Sequence, residues 1–230
     1  MGEIMKIVFI GAGMASLVAS ERLARAGFDV SVYEKDSYDN LSYDWHDDVN
    51  RDAFDMFNLP LPKEGTYFPK RNWTFVPPAE RIEVSLHIPE KELDWSTERR
   101  ILAQQYVDRA KDVVDFHFST PVQSLIVENR TVNGIVANGE KFYADLVVDN
   151  SGAMSPFRAQ LPKSAHVTAE PKSNEIFVAY RAFHKKADGV KDPQNTNKAY
   201  LKHLGEEGIS WSIIDPAGTV NVLIGRAGEL

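Results

Sequence analysis

Gly11 and Gly13, in Ile10-Gly-Ala-Gly-Met-Ala-Ser16, stand directly after the apolar run Lys6-Ile-Val-Phe-Ile10. Glycines at this spacing, after a strand and before a helix, suit the binding of an anion. Gly11 permits a tight turn, and Gly13 lets the backbone come close to a pyrophosphate. The first helical turn at Met14, Ala15 and Ser16 then offers N–H groups and a partial positive charge. A third glycine is usual where Ser16 stands, but that residue only has to let helix and strand approach, and serine is small. Glu34 lies 21 residues after Gly13. An acidic side chain there accepts hydrogen bonds from ribose hydroxyls, with Lys35 beside it. It also disfavours the 2′-phosphate of NADP, which leaves FAD or NAD. The competing reading is a glycine-rich turn in an unrelated α/β fold.

The elements that would position these residues are legible around them. Lys6 to Ile10 is apolar without alternation, as in a parallel strand buried on both faces. From Met14 to Ala26, Ala15, Ala19, Leu23 and Ala26 form one helical face, with Glu21, Arg22 and Arg25 on a wet one. Gly27 stops the helix, and Asp29 to Glu34 reads as a second strand, completing a βαβ unit. Further on, Ser96 is expected to cap a helix whose apolar face is Leu102, Tyr106, Ala110 and Val113. Strands are expected at Val114–Phe118 and Val122–Glu128. Turns are expected at Asn129-Arg130 and Asn138-Gly139, the second a favoured hairpin pair. Leu146 to Asp149 reads as another buried parallel strand, ending in Asn150-Ser151-Gly152.

Composition narrows the function classes. The chain has 230 residues, 43% hydrophobic and 26% charged, with a net charge of -7. No basic surface dominates, which argues against a nucleic-acid partner. The absence of cysteine removes disulfides, thiolate metal sites and dithiol redox chemistry. Neither a secretory signal nor a myristoylation motif is read at the N-terminus, and the apolar stretch Ile7–Ala19 is too short to span a bilayer. The expected location is cytoplasmic, with peripheral contact at a membrane left open.

The residues beyond the first unit separate FAD from NAD. An NAD dehydrogenase usually continues in helix–strand alternation. Here about 60 residues intervene, including the aromatic stretch Tyr67 to Trp73, and then a β-meander precedes the return of the parallel sheet. That interruption suits a two-part flavoprotein.

The stretch Asp149-Asn-Ser-Gly152-Ala-Met-Ser155-Pro-Phe-Arg158 resembles the D-x-x-G-x-x-S-x-x-R signature of FAD-dependent geranylgeranyl reductases and related aromatic hydroxylases. Arg99 with Leu102, Tyr106 and Ala110 resembles that group's R-x-x-F-D-x-x-L-x-x-x-A helix, although Leu102 and Ala103 replace its Phe and Asp. Thr120-Pro-Val122 resembles the strand whose Val122 backbone would meet the adenine. Gly208-Ile-Ser-Trp211 through Gly225 resembles the antiparallel sheet over the flavin.

The resemblance implies an α/β, Rossmann-like FAD-binding fold with an inserted β-meander and an antiparallel substrate-domain sheet. Residues 1–68 and 96–165 would bind FAD, and 69–95 with 166–230 would form an incomplete substrate sheet. Asp149 ends a strand where ligands collect, Gly152 allows close backbone approach, and Arg158 pins the turn by bonding carbonyls or Asp149. Arg99 reaches the pyrophosphate as a forked donor or is a solvated helix charge. Dithiol flavoproteins are excluded by the missing cysteines. Amine-oxidase-like flavoproteins are excluded because Asp36 to Trp45 lacks the glycine doublet they carry after strand two.

The implied reaction is alkene reduction in an isoprenoid or isoprenoid lipid, with NAD(P)H or a reduced redox protein as electron donor and no catalytic residue identified. The alternatives are a flavin-dependent monooxygenase and a truncated, non-catalytic FAD-binding module or half of a split enzyme. Family members carry a later Gly-Asp motif that is missing before Leu230, so a second chain could complete the flavin site. Tyr43 to Asp48 is read as a solvated acidic loop rather than a metal site, and the six histidines form no zinc pattern. Trp73, Phe75, Trp95, Tyr180, Phe183 and Trp211 are either plain core or the lining of an apolar tunnel.

Overall fold

The computed structural model describes residues 4–78, 82–190, 197–205, 207–215 and 217–228. In chain order the elements are β1 (Lys6–Ile10), α1 (Met14–Arg25), β2 (Asp29–Tyr33), β3 (His46–Asn50), α2 (Asp52–Met56), β4 (Tyr67–Pro69), β5 (Asn72–Val76), β6 (Val84–His87) and β7 (Asp94–Glu98). Then come α3 (Arg99–Ala110), β8 (Asp115–His117), β9 (Val122–Glu128), β10 (Thr131–Ala137), β11 (Glu140–Tyr143), β12 (Leu146–Asp149), β13 (Phe177–Lys185), β14 (Asn197–Leu201), β15 (Gly208–Ile214) and β16 (Thr219–Ala227).

The chain divides into two units, Met1–Asp44 with Arg99–Pro171, and Trp45–Glu98 with Lys172–Leu230. Both are assembled from separated stretches, but the first boundary differs from the one expected at residue 68. Residues 45–68 join the second unit because β3 and β4 both pair with β7.

In the first unit a parallel sheet runs in the order β12-β1-β2-β8. Ile7, Val8, Phe9 and Ile10 of β1 are all buried, as a central parallel strand requires. The meander β9-β10-β11 packs on this sheet. Ile135, Ala137 and Phe157 form one core with Val8, Ile10 and Tyr33. Asn138 and Gly139 adopt positive φ in the β10–β11 turn, the geometry that Asn-Gly favours. β12 is not the fully buried strand expected. It forms the sheet edge, and Leu146 is 45% exposed.

Two helix readings are corrected. The buried face of α1 is Ser16, Leu17, Ser20 and Glu21. Small serines let the helix lie close to the sheet, and Glu21 faces α3, where its Oε1 accepts from Arg25 Nε at 2.8 Å and Arg109 Nε at 2.7 Å. Ser96 does not cap α3. It sits inside β7 opposite Asp48 and Phe68, and the helix begins at Arg99. Leu102, Tyr106 and Ala110 are buried as expected, joined by Ala103 and Val107, whereas Val113 is 38% exposed beyond the helix end.

The second unit holds a six-stranded sheet, β13-β16-β15-β14-β5-β6, and a three-stranded sheet, β3-β7-β4. The second half of the segment expected as a solvated acidic loop, His46 to Asp48, belongs to strand β3, whose Asp48 Oδ2 receives the buried Lys70 Nζ at 2.5 Å. The aromatic set divides. Trp73 and Phe75 stack on one sheet face, Trp95 of the smaller sheet stacks on Tyr67 and packs against Phe54 of α2, and Tyr180 is 71% exposed. Such a set is neither a single core nor a single tunnel. Among the described residues, no helix is long and apolar enough to cross a membrane.

Candidate functional site

A cleft of about 780 Å³ opens in the first unit at the carboxyl ends of β1 and β2, the place where ligands bind in open α/β sheets. Its floor is the glycine turn. Gly11 has φ +90°, and a Cβ there would stand 2.7 Å from the Asn150 carbonyl oxygen. At Gly13 a Cβ would stand 2.8 Å from Asn150 Nδ2. Gly11 is therefore required by the close passage of the loop after β12, and a side chain at Gly13 would displace the Asn150 amide. Asn150 has no sequence signal of its own; only the parallel pairing of β1 with β12 brings it to the turn.

α1 begins at this floor with Gly13 as N-cap, without a side-chain cap and without an acidic residue in its first turn. Its leading N–H groups therefore point toward the cleft as anion donors. Met14 and Ala15 line the cleft. Ser16 does not. It is 1% exposed, and its Oγ accepts a hydrogen bond from Asn150 Nδ2 at 2.8 Å. The serine thus links helix to loop from behind.

Glu34 follows β2 and is almost buried at the cleft wall. Its Oε2 accepts from Ala12 N–H at 2.7 Å and its Oε1 from Asp36 N–H at 3.0 Å. Each oxygen retains a lone pair for a ligand hydroxyl. Lys35 lines the same wall and is paired with Asp36 at 2.6 Å. Tyr33, beneath, stacks on His117 at 4.3 Å between centroids. Burial, aided by Asp115, pushes its hydroxyl up to about 12, so it remains neutral.

The far wall comes from α3 and the β9 entrance. Val122, with Pro121, lines the cleft. Arg99 lines it too, but its guanidinium lies 4.6 Å from the Tyr43 ring centroid and donates to the Tyr43 hydroxyl. Tyr43 carries no sequence signal beyond its loop; its place here depends on Arg100, which bonds the Leu41 carbonyl and Asp44 and fastens that loop to α3.

The Asp149–Arg158 signature divides between lining and bracing. Gly152, at φ +106°, lines the cleft with Ser151. Asp149 does not. Its Oδ1 accepts from Ser151 N–H at 3.0 Å and Ser151 Oγ at 2.6 Å, and its Oδ2 accepts from Ser155 Oγ. Arg158 donates to the Ala153 carbonyl rather than to Asp149. These two residues hold the shape of the loop that Gly152 carries.

Residues 10–58 match the model of an NAD(P)-binding Rossmann-like domain. The chain is 22% identical to a digeranylgeranylglycerophospholipid reductase of Sulfolobus acidocaldarius, an alignment covering 97% of this chain and 51% of that protein. It spans about half the length of the curated relatives it matches. Among solved structures, a geranylgeranyl bacteriochlorophyll reductase-like protein of Thermoplasma acidophilum superposes with a TM-score of 0.79 at 18% identity, over 98% of this chain and 57% of that one. CtdE, solved in complex with FAD and a substrate, superposes with a TM-score of 0.75 at 14% identity, over 98% and 58%. The resemblance read from Asp149 to Arg158 is borne out: across nearly its whole length the chain is similar in sequence to digeranylgeranylglycerophospholipid reductases and in fold to a geranylgeranyl reductase-like protein.

Proposed function

We propose that the first unit carries the adenosine-diphosphate half of an FAD site, within an oxidoreductase that reduces alkene bonds of an isoprenoid or isoprenoid lipid. The observation that carries this reading is the convergence of an uncapped helix start, the Gly11–Gly13 floor and the Glu34 carboxylate in one cleft. The cradle fits the group, because the Gly11–Gly13 turn, the uncapped start of α1 and the Glu34 carboxylate all line one cleft. In this assignment the Met14 and Ala15 amides meet the pyrophosphate, and Glu34 takes the ribose hydroxyls. The main chain at Val122 meets the adenine, and Arg99 turns from Tyr43 toward a phosphate. Bound FAD, once reduced by the electron donor, would supply hydride, solvent would supply the proton, and the protein would supply binding and orientation. The likeness to the two reductases supports the substrate class. NAD(P)H or a reduced redox protein is the proposed electron donor.

The test is a fluorescence titration of the purified chain with FAD and FMN. FAD should bind at least about tenfold more tightly, since the proposed contacts lie on the adenosine side, a difference of about 1.4 kcal/mol. Equal affinities would overturn the assignment. For the reaction, reduced FAD and a geranylgeranyl lipid should yield product heavier by one H2 per reduced bond. A gain of one oxygen atom in air would point to the monooxygenase chemistry instead.

A further inference from the structure

The edge of the six-stranded sheet carries a sequence that reads alike in both directions. In Ile82-Glu-Val-Ser-Leu-His-Ile88, Val84 mirrors Leu86 about Ser85, Glu83 mirrors His87, and Ile82 mirrors Ile88. Among the described residues β6 pairs with β5 alone and ends its sheet. All four of its residues are exposed. Ile82 is 70%, Val84 54% and Leu86 53% exposed.

The ladder fixes which backbone groups are outward. Ile88 N–H donates to the Arg71 carbonyl at 2.9 Å. By the alternation of an antiparallel pair, Val84 and Leu86 also turn their main-chain groups toward β5, while Glu83, Ser85 and His87 turn theirs to the open edge. The Val84 and Leu86 side chains share a face with Phe75 and Trp73, their register partners.

We propose that β6 pairs antiparallel with β6 of a second copy of this chain, about a two-fold axis at Ser85. In that register the outward groups form about six main-chain hydrogen bonds. Val84 faces the partner's Leu86, and Glu83 faces the partner's His87. Both polar side chains retain capacity for this contact. Lys198 engages one carboxylate oxygen of Glu83, and Asn72 Oδ1 engages His87 Nδ1 at 2.9 Å, which leaves Nε2. Moving the axis to Leu86 would set Glu83 against Pro89, which has no N–H to give. Exposed apolar edges are ordinarily guarded by lysine, proline or a bulge, and Ile82 to Ile88 contains neither lysine nor proline. A second copy turns this edge into an interior strand through an isologous contact.

Sedimentation velocity across the micromolar range tests the pairing. The wild-type chain should sediment as a dimer of the 25.8 kDa protomer. Val84→Lys and Leu86→Glu, both at exposed positions and both checked for fold by circular dichroism, should each raise the dimer dissociation constant at least about tenfold. An equimolar mixture of the two variants should regain dimer, because the introduced lysine and glutamate then face one another across the axis. A monomeric wild type, whether its edge is bare or covered by another segment, overturns the proposal. So does a dimer indifferent to both substitutions, or a mixture that stays monomeric.

Discussion

Glu34 joins two roles in one carboxylate: it holds the glycine turn through Ala12 N–H and faces the cleft. Glu34→Ala should therefore weaken FAD binding by about 1–3 kcal/mol, the cost of losing hydrogen bonds to a charged acceptor. An unchanged dissociation constant in a folded variant would argue against the ribose assignment. Ser16 behaves differently because it stands behind the turn. Ser16→Gly removes the bond from Asn150 Nδ2 and adds backbone entropy of roughly 0.5–1 kcal/mol, yet leaves the path of the pyrophosphate open. FAD affinity should stay within about threefold of wild type while the melting temperature falls slightly. A tenfold gain in affinity would mean that serine spoils the site. Ser16→Leu should lower both affinity and stability, since its bulk would enter the close approach of α1 to the sheet.

At the scale of elements, the βαβ unit and the meander are legible in the sequence because glycine, Asn-Gly and apolar runs act locally. The strand expected at Val122–Glu128 is β9 with the same bounds. The face of α1 is not legible, because Glu21 looks like a solvated charge until α3, distant in sequence, brings Arg109 against it. Ser96 misleads for a similar reason. Its type suits a helix cap, but β3 and β4 draw it into a strand. In the cleft, Gly11, Gly13, Glu34 and Gly152 can be found from local pattern, whereas Asn150 and Tyr43 depend on pairings that no short stretch encodes. The Glu21 contact yields a test. With its side chain 6% exposed between two partly exposed arginines, Glu21→Ala should destabilise the chain by about 1–2 kcal/mol in urea unfolding, since it removes two charge-assisted hydrogen bonds that tie α1 to α3 while the arginines regain water. A loss below about 0.5 kcal/mol, the size of an ordinary surface change, would show that α1 and α3 are not tied through this residue.

For the whole molecule, the second unit can be followed by its own signal. All four tryptophans, at 45, 73, 95 and 211, fall in the second unit, so their fluorescence reports its unfolding. That unit holds His46, whose basicity is lowered by burial first and by the nearby Arg181 charge second, with Lys70 adding and with Asp215 and Asp48 opposing. Arg181 also donates to the His46 carbonyl at 3.2 Å and to Asn221 Oδ1 at 2.6 Å, so the cation cannot easily withdraw. A histidine whose folded value lies below its unfolded value of about 6.5 contributes stability that is fully present above that value. The contribution is lost as pH falls toward the folded value, because the unfolded chain then binds the proton first. The urea midpoint read from tryptophan fluorescence should accordingly fall between about pH 7.5 and about pH 5.5, on either side of that reference value. His46→Gln, which keeps polar atoms but cannot take up the proton, should show a shallower fall over the same interval. Identical pH profiles for the two proteins would place the acid sensitivity elsewhere, among the carboxylates.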